Sequence, residues 1–173
     1  MPERASSPKL VPSEHPVLVV DDNRDTLEVL RRNLAGGGYP VVTADSVDAA
    51  VEILAAQAVD LVITDYKMPR VSGLDLIRHV RANHPRSEVV MITGFASVEG
   101  AVKAVKLGAE QYLAKPFTDE ELFAVVEAAL RKVVDRRHWE TSGADDPMGE
   151  LGLIGHSTAM QRLYATLRKA AAS

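Results

Sequence analysis

Leu61-Val62-Ile63-Thr64-Asp65, continued by Tyr66-Lys67-Met68-Pro69-Arg70-Val71-Ser72-Gly73, decides how this chain is read. An apolar run without alternation describes a short strand buried on both faces, as in a parallel sheet covered by helices. The run ends in one carboxylate, Asp65, and the Met-Pro turn then stops the strand. Open parallel sheets bind their ligands beyond the carboxyl ends of the strands, which is where this reading puts Asp65.

Runs of the same kind recur on both sides of it. Residues 16–20 end at Asp21-Asp22, and residues 39–44 form a second run. Residues 89–93 end at Thr93, and 112–114 end at Lys115-Pro116. Helical spacing separates them. Leu27, Leu30 and Leu34 share a face, with Val29 interleaved, and Gly36-Gly37-Gly38 stops that helix. Ser46 is placed to cap a helix carrying Ala49, Ala50, Ile53 and Leu54. Leu74, Ile77 and Val80 make a third helix that closes near His84-Pro85, and an Ala-rich fourth runs from about 97 to 107. Thr118 caps a fifth, with Asp119, Glu120 and Glu121 at its positive end and Arg131, Lys132, Arg136 and Arg137 near the other. Five alternations of strand and helix predict an α/β fold. Right-handed crossovers reduce it to a doubly wound, five-stranded parallel sheet of order 2-1-3-4-5.

The chain has 173 residues, 46% hydrophobic and 25% charged, which suits one domain with a sizeable core and an appendage. It has no cysteine, which excludes disulfides, thiolate metal sites and Cys nucleophiles. A net charge of −4 does not suggest a nucleic-acid-binding face. The first residues carry no apolar signal core, and no apolar run approaches the ~18 residues of a membrane span. A soluble, cytoplasmic protein is expected. Residues 1–15, with three prolines, read as a disordered leader; 16–137 as the domain; and 138–150, rich in Gly, Asp and Ser, as a linker. Residues 151–173 read as a further apolar run and a helix with one apolar face.

The strand ends gather the chemistry. Asp21, Asp22, Asp65, Thr93 and Lys115 would converge on one crevice. Carboxylates in close contact repel by about 4 kcal/mol per pair at an effective dielectric near 20. A hard divalent cation, Mg²⁺, removes that cost through oxygen ligands. Beside such a cation and a lysine, Asp65 is a competent nucleophile toward phosphorus. Each piece alone has an ordinary explanation: Asp-Asp as a turn and cap, Thr93-Gly94 as a strand-ending turn, Lys115-Pro116-Phe117 as a loop. Their joint occurrence at four strand ends is what points to a site.

Val17-Leu18-Val19-Val20-Asp21-Asp22-Asn23, the Asp65–Gly73 stretch, Ile92-Thr93-Gly94 and the stretch from Gly108 to Phe117 resemble the response-regulator receiver domains of two-component signalling. The resemblance covers residues 16–137 and implies the flavodoxin-like version of the fold. It implies that Asp65 accepts a phosphoryl group from a sensor histidine kinase. Asp22, Asp65 and the Lys67 carbonyl would ligate Mg²⁺, with Asp21 helping through water. Thr93 and the Gly94 amide would take the phosphoryl oxygens, and Lys115 would pair with the phosphate. It further implies a cis Lys115-Pro116 bond and a switch coupling Thr93 to Tyr112. Lys67 and Phe95 would flank the phosphate and influence its lifetime. Such a domain assists its own phosphorylation and dephosphorylation and is otherwise not an enzyme.

Leu153-Ile154-Gly155-His156-Ser157-Thr158-Ala159-Met160-Gln161 is similar to the opening of the AAA+ domain of sigma-54-dependent (nitrogen-regulatory-protein-C-type) transcription activators. No Gly-x-x-x-x-Gly-Lys-[Ser/Thr] is present, so ATP binding of the Walker kind is not expected of this chain. On this reading residues 151–173 are a truncated start of that domain. Sigma-54 RNA polymerase and DNA would be reached only through modules beyond it. Leu122, Val125, Val126, Ala129, Leu130 and Val133 form a near-heptad stripe on the last helix. Its first half is expected to pack on the sheet. Val133-Val134 onward is expected to meet a partner helix in a homodimer. The alternatives are a stand-alone receiver acting as a binding switch, and a haloacid-dehalogenase-type phosphohydrolase. The latter places its nucleophile in an Asp-x-Asp motif after the first strand, where this chain has Asp21-Asp22-Asn23.

Overall fold

The computed structural model describes residues 9–94 and 97–141. The chain divides into two units, Met1–His138 and Trp139–Ser173. All five strands belong to the first; of the second, only residues 139–141, the end of the last helix, are described. The tail read as the start of a further domain, and Phe95, lie outside the described residues.

The elements run β1 (Val17–Val20), α1 (Arg24–Gly36), β2 (Val41–Ala44), α2 (Val47–Ala56), β3 (Leu61–Thr64), α3 (Gly73–Asn83), β4 (Glu88–Thr93), α4 (Val98–Lys106), β5 (Gln111–Ala114) and α5 (Asp119–Thr141). All neighbouring strands pair in parallel, in the order β2-β1-β3-β4-β5, as the pattern of apolar runs predicts. The three central strands are buried at every position, which is why their sequences do not alternate.

Alternation reappears in the pleat. Val17, Val19, Leu61, Ile63, Val90 and Ile92 point to one face, where α1 and α5 cover them with Leu27, Leu30, Leu34, Leu122, Val126 and Leu130. Leu18, Val20, Val62, Val89 and Met91 point to the other, under α2, α3 and α4 through Leu54, Leu76, Ile77, Val80 and Ala104. Each fully buried Leu, Ile or Val contributes about 1.5–3 kcal/mol relative to exposure, so these two layers hold the sheet. Val29, the residue out of phase on α1, is exposed.

Small polar side chains cap the helices, at Ser46 and Thr118 as expected and at Asn23 and Ser97 besides. Asn23 accepts from the Asp25 and Thr26 amides, Ser46 from Ala49 and Ser97 from Gly100. On α5, the Glu121 amide donates to the Thr118 hydroxyl at 3.2 Å, and the Thr118 amide to the Glu121 carboxylate at 2.8 Å, a reciprocal capping box.

Two expectations fail. The leader is not disordered up to residue 15: Pro12–Glu14 forms a 3-10 turn, and the buried His15 ring lies 2.8 Å from the Asp60 carboxylate. A tertiary partner 45 positions away orders a stretch whose composition suggests none. On α5, Val133 and Val134 are not left for a partner helix but are themselves buried, Val133 within the layer that contains Val17 and Leu30.

Candidate functional site

β1 and β3 run side by side in register, so the residues that follow them, Asp21-Asp22 and Asp65, emerge together at the carboxyl edge of the sheet. Ligand oxygens of Asp21, Asp22 and Asp65 all lie within 4.8 Å of one another. Asp21 is buried, Asp65 half-buried and Asp22 exposed, which leaves the cluster open on one side. A set of acceptor-only oxygens this close fits a hard divalent cation.

The positive charge and a hydroxyl donor come from the ends of β5 and β4, and a backbone donor from the turn after β3. Lys115 Nζ donates to Asp21 Oδ2 at 3.0 Å, and Asp21 Oδ1 accepts the Asn23 amide at 2.9 Å. Lys115 therefore rests on Asp21 in this state, while its charge still acts on Asp65. The Tyr66 amide donates to Asp65 Oδ1 at 2.8 Å. Thr93, fully buried at the end of β4, hydrogen-bonds the same carboxyl. Burial pushes the Asp65 carboxyl above the ordinary aspartate range, and the neighbouring Asp21 adds to the rise. Lys115, the Tyr66 amide and the Thr93 hydroxyl pull it back.

Of the remaining residues singled out from the sequence, Gly94, next to Thr93, and Lys67, two positions past Asp65, are exposed. Tyr112 is half-buried in the layer beneath α4; β5 pairs it with Met91, two positions before Thr93, so Tyr112 and Thr93 share one face. A Cβ on Gly100 of α4 would lie 3.7 Å from the Tyr112 hydroxyl. The Lys115-Pro116 bond is cis.

Sequence reasoning left the task of Gly73 unstated. A Cβ there would sit 2.0 Å from the Asp65 carbonyl oxygen. The Gly73 amide donates to the Tyr66 carbonyl at 3.1 Å, and the Thr64 hydroxyl donates to the Asp65 carbonyl at 3.0 Å. The first turn of α3 thus presses directly on the backbone carrying Asp65, and only glycine allows that approach. The signal was a glycine opening a helix, a position where it has no value as a helix former.

Residues 17–127 match the family model described as the response regulator receiver domain. The chain is 35% identical over 160 residues to the transcriptional regulatory protein ZraR of Escherichia coli, covering 91% of this chain and 35% of that protein. It is 32% identical over 148 residues to the DNA-binding transcriptional regulator NtrC of Escherichia coli, covering 86% and 31%. It thus spans about a third of the length of these relatives. Among solved structures, the beryllofluoride-activated NtrC4 receiver domain dimer superposes with a TM-score of 0.65 at 34% identity, covering 68% of this chain and 98% of the other.

Proposed function

Since the chain belongs to the response regulator receiver domain family, we propose that Asp65 accepts a phosphoryl group from a sensor histidine kinase and that the acyl phosphate sets the state of the domain. The observation that carries this reading is the convergence of Asp21, Asp22 and Asp65 within 4.8 Å, with Lys115 and Thr93 alongside.

Asp21, Asp22 and Asp65 would hold Mg²⁺, together with the Lys67 carbonyl. The ion would neutralise charge on the carboxylates and on the transferring phosphoryl oxygens. An Asp65 oxygen attacks phosphorus as the bond from phosphorus to the donor's imidazole nitrogen breaks, and the imidazole leaves. The Tyr66 amide fixes one Asp65 oxygen, which leaves the other as the nucleophile. Lys115 exchanges Asp21 for a phosphoryl oxygen, which its flexible stem allows. The Thr93 hydroxyl and the Gly94 amide bind the remaining oxygens. Thr93 moves toward the phosphate, and Tyr112 turns into the space it leaves.

The surface altered by that movement includes α4, where Val98, Val102 and Val105 are exposed on one face. We place a homodimer contact there rather than on Val133 and Val134. The likeness to the NtrC4 receiver dimer supports pairing, and the likeness to ZraR and NtrC supports control of transcription through a sigma-54-type output module.

Incubation with Mg²⁺ and a small acyl phosphate tests the assignment. One phosphoryl group per wild-type chain and none on Asp65→Asn is expected. Equal labelling of the two proteins overturns it.

A further inference from the structure

The amino-terminal edge of the sheet, opposite the Asp65 site, carries an acidic residue at the start of three adjacent strands. These are Asp60 before β3, Glu88 opening β4 and Glu110 before β5. Three cations of distal α5, at positions that share one side of the helix, meet them. Lys132 Nζ lies 2.5 Å from Glu110; Arg136 pairs with Glu88 and also donates to the Pro85 carbonyl at 3.1 Å; Arg137 pairs with Asp60. Asp60 and Glu88 are buried, where charges persist only when paired.

Both buried carboxylates have a second partner from the body of the domain. Glu88 Oε2 accepts from Arg81 of α3 at 2.9 Å, and Asp60 Oδ2 takes the His15 ring nitrogen at 2.8 Å. Each acid thus has one oxygen for α5 and one for the body. Gly108 lies close against the Arg81 stem, which a Cβ added at that glycine would meet at 2.9 Å. Removing a sole partner would strand a buried charge. Here the body partner keeps one oxygen of each acid hydrogen-bonded, so α5 can leave without stranding either carboxylate.

We infer that Asp60, Glu88 and Glu110 form a clasp that fastens distal α5 to the receiver body and is built to open locally, leaving both the sheet and the Asp65 site intact. While it is closed, Val133 and Val134 are covered; opening is the step that uncovers them.

Amide hydrogen exchange on the full chain tests it, with Arg136→Gln/Arg137→Gln against wild type. Exchange at residues 131–138 is expected to rise tenfold or more, with β1, β3 and α1 unchanged. Arg31→Gln, which breaks only the exposed pair with Glu28, is expected to change neither region. Unchanged exchange at 131–138, or a rise spread equally through β3 and β4, overturns the inference. The doubled partners give a second reading by thermal denaturation. Arg81→Gln and Arg136→Gln are expected to lower the midpoint together by more than the sum of the two alone, because only the pair strands Glu88. Additive losses overturn the inference. The inference does not rest on phosphorylation, so acyl-phosphate labelling of the same variants separates its failure from a failure of the Asp65 assignment.

Discussion

At Asp65 the chain holds a carboxylate in half-buried surroundings beside Asp21, and both burial and the neighbouring charge favour its protonated form. The folded pKa therefore lies above that of the unfolded chain. Between those two values the folded state binds more protons, so stability falls as pH rises through that window, and the deficit is complete above it. An amide at this position does not titrate, and its oxygen still accepts the Tyr66 amide. Asp65→Asn is accordingly expected to raise the thermal midpoint of the metal-free protein near neutral pH. The advantage should shrink as pH falls through the window and vanish below the ordinary aspartate range. Midpoints measured in chelator across pH decide the matter; a variant less stable than wild type at neutral pH would contradict the account of Asp65 as a destabilised carboxylate.

Among the elements, α5 shows what local sequence can and cannot specify. Its start is written in neighbouring residues, Thr118 and Glu121, whose reciprocal bonds satisfy two amides that would otherwise be unpaired. Thr118→Ala is expected to cost about 1 kcal/mol, read as a shift in denaturant midpoint at unchanged slope. No loss at all would mean that packing of Leu122, Val126 and Leu130 alone fixes the helix. The strands were legible for a similar reason, since burial on both faces leaves a continuous apolar run, and so were the chemical groups standing at their ends. The distal half of α5 was not. Its partners Asp60, Glu88 and Glu110 each stand at the start of a different strand, and no periodicity links them to Lys132, Arg136 and Arg137. His15 was missed on the same ground, because one contact with Asp60 outweighs the proline-rich composition around it. Gly73 was visible as a letter, but its purpose needed the Asp65 carbonyl in space.

For the molecule as a whole, the two edges of one sheet treat charge in opposite ways. At the amino edge each buried acid is held by two side chains, one on each carboxylate oxygen. At the carboxyl edge three acids cluster where Lys115 pairs with Asp21, and a divalent cation would complete the set. An ion that binds the folded state and not the unfolded chain stabilises it by about 2.7 kcal/mol at a concentration one hundred times its dissociation constant. Added Mg²⁺ is therefore expected to raise the midpoint of the wild-type protein in a saturable manner, with little effect on Asp65→Asn, which keeps the amino-edge pairs but loses a carboxylate of the cluster. Because the amino edge is already paired, the same titration should leave hydrogen exchange at residues 131–138 unchanged. A rise in midpoint of equal size in both proteins would place the ion elsewhere, and no rise in wild type would remove the carboxylate cluster as its site.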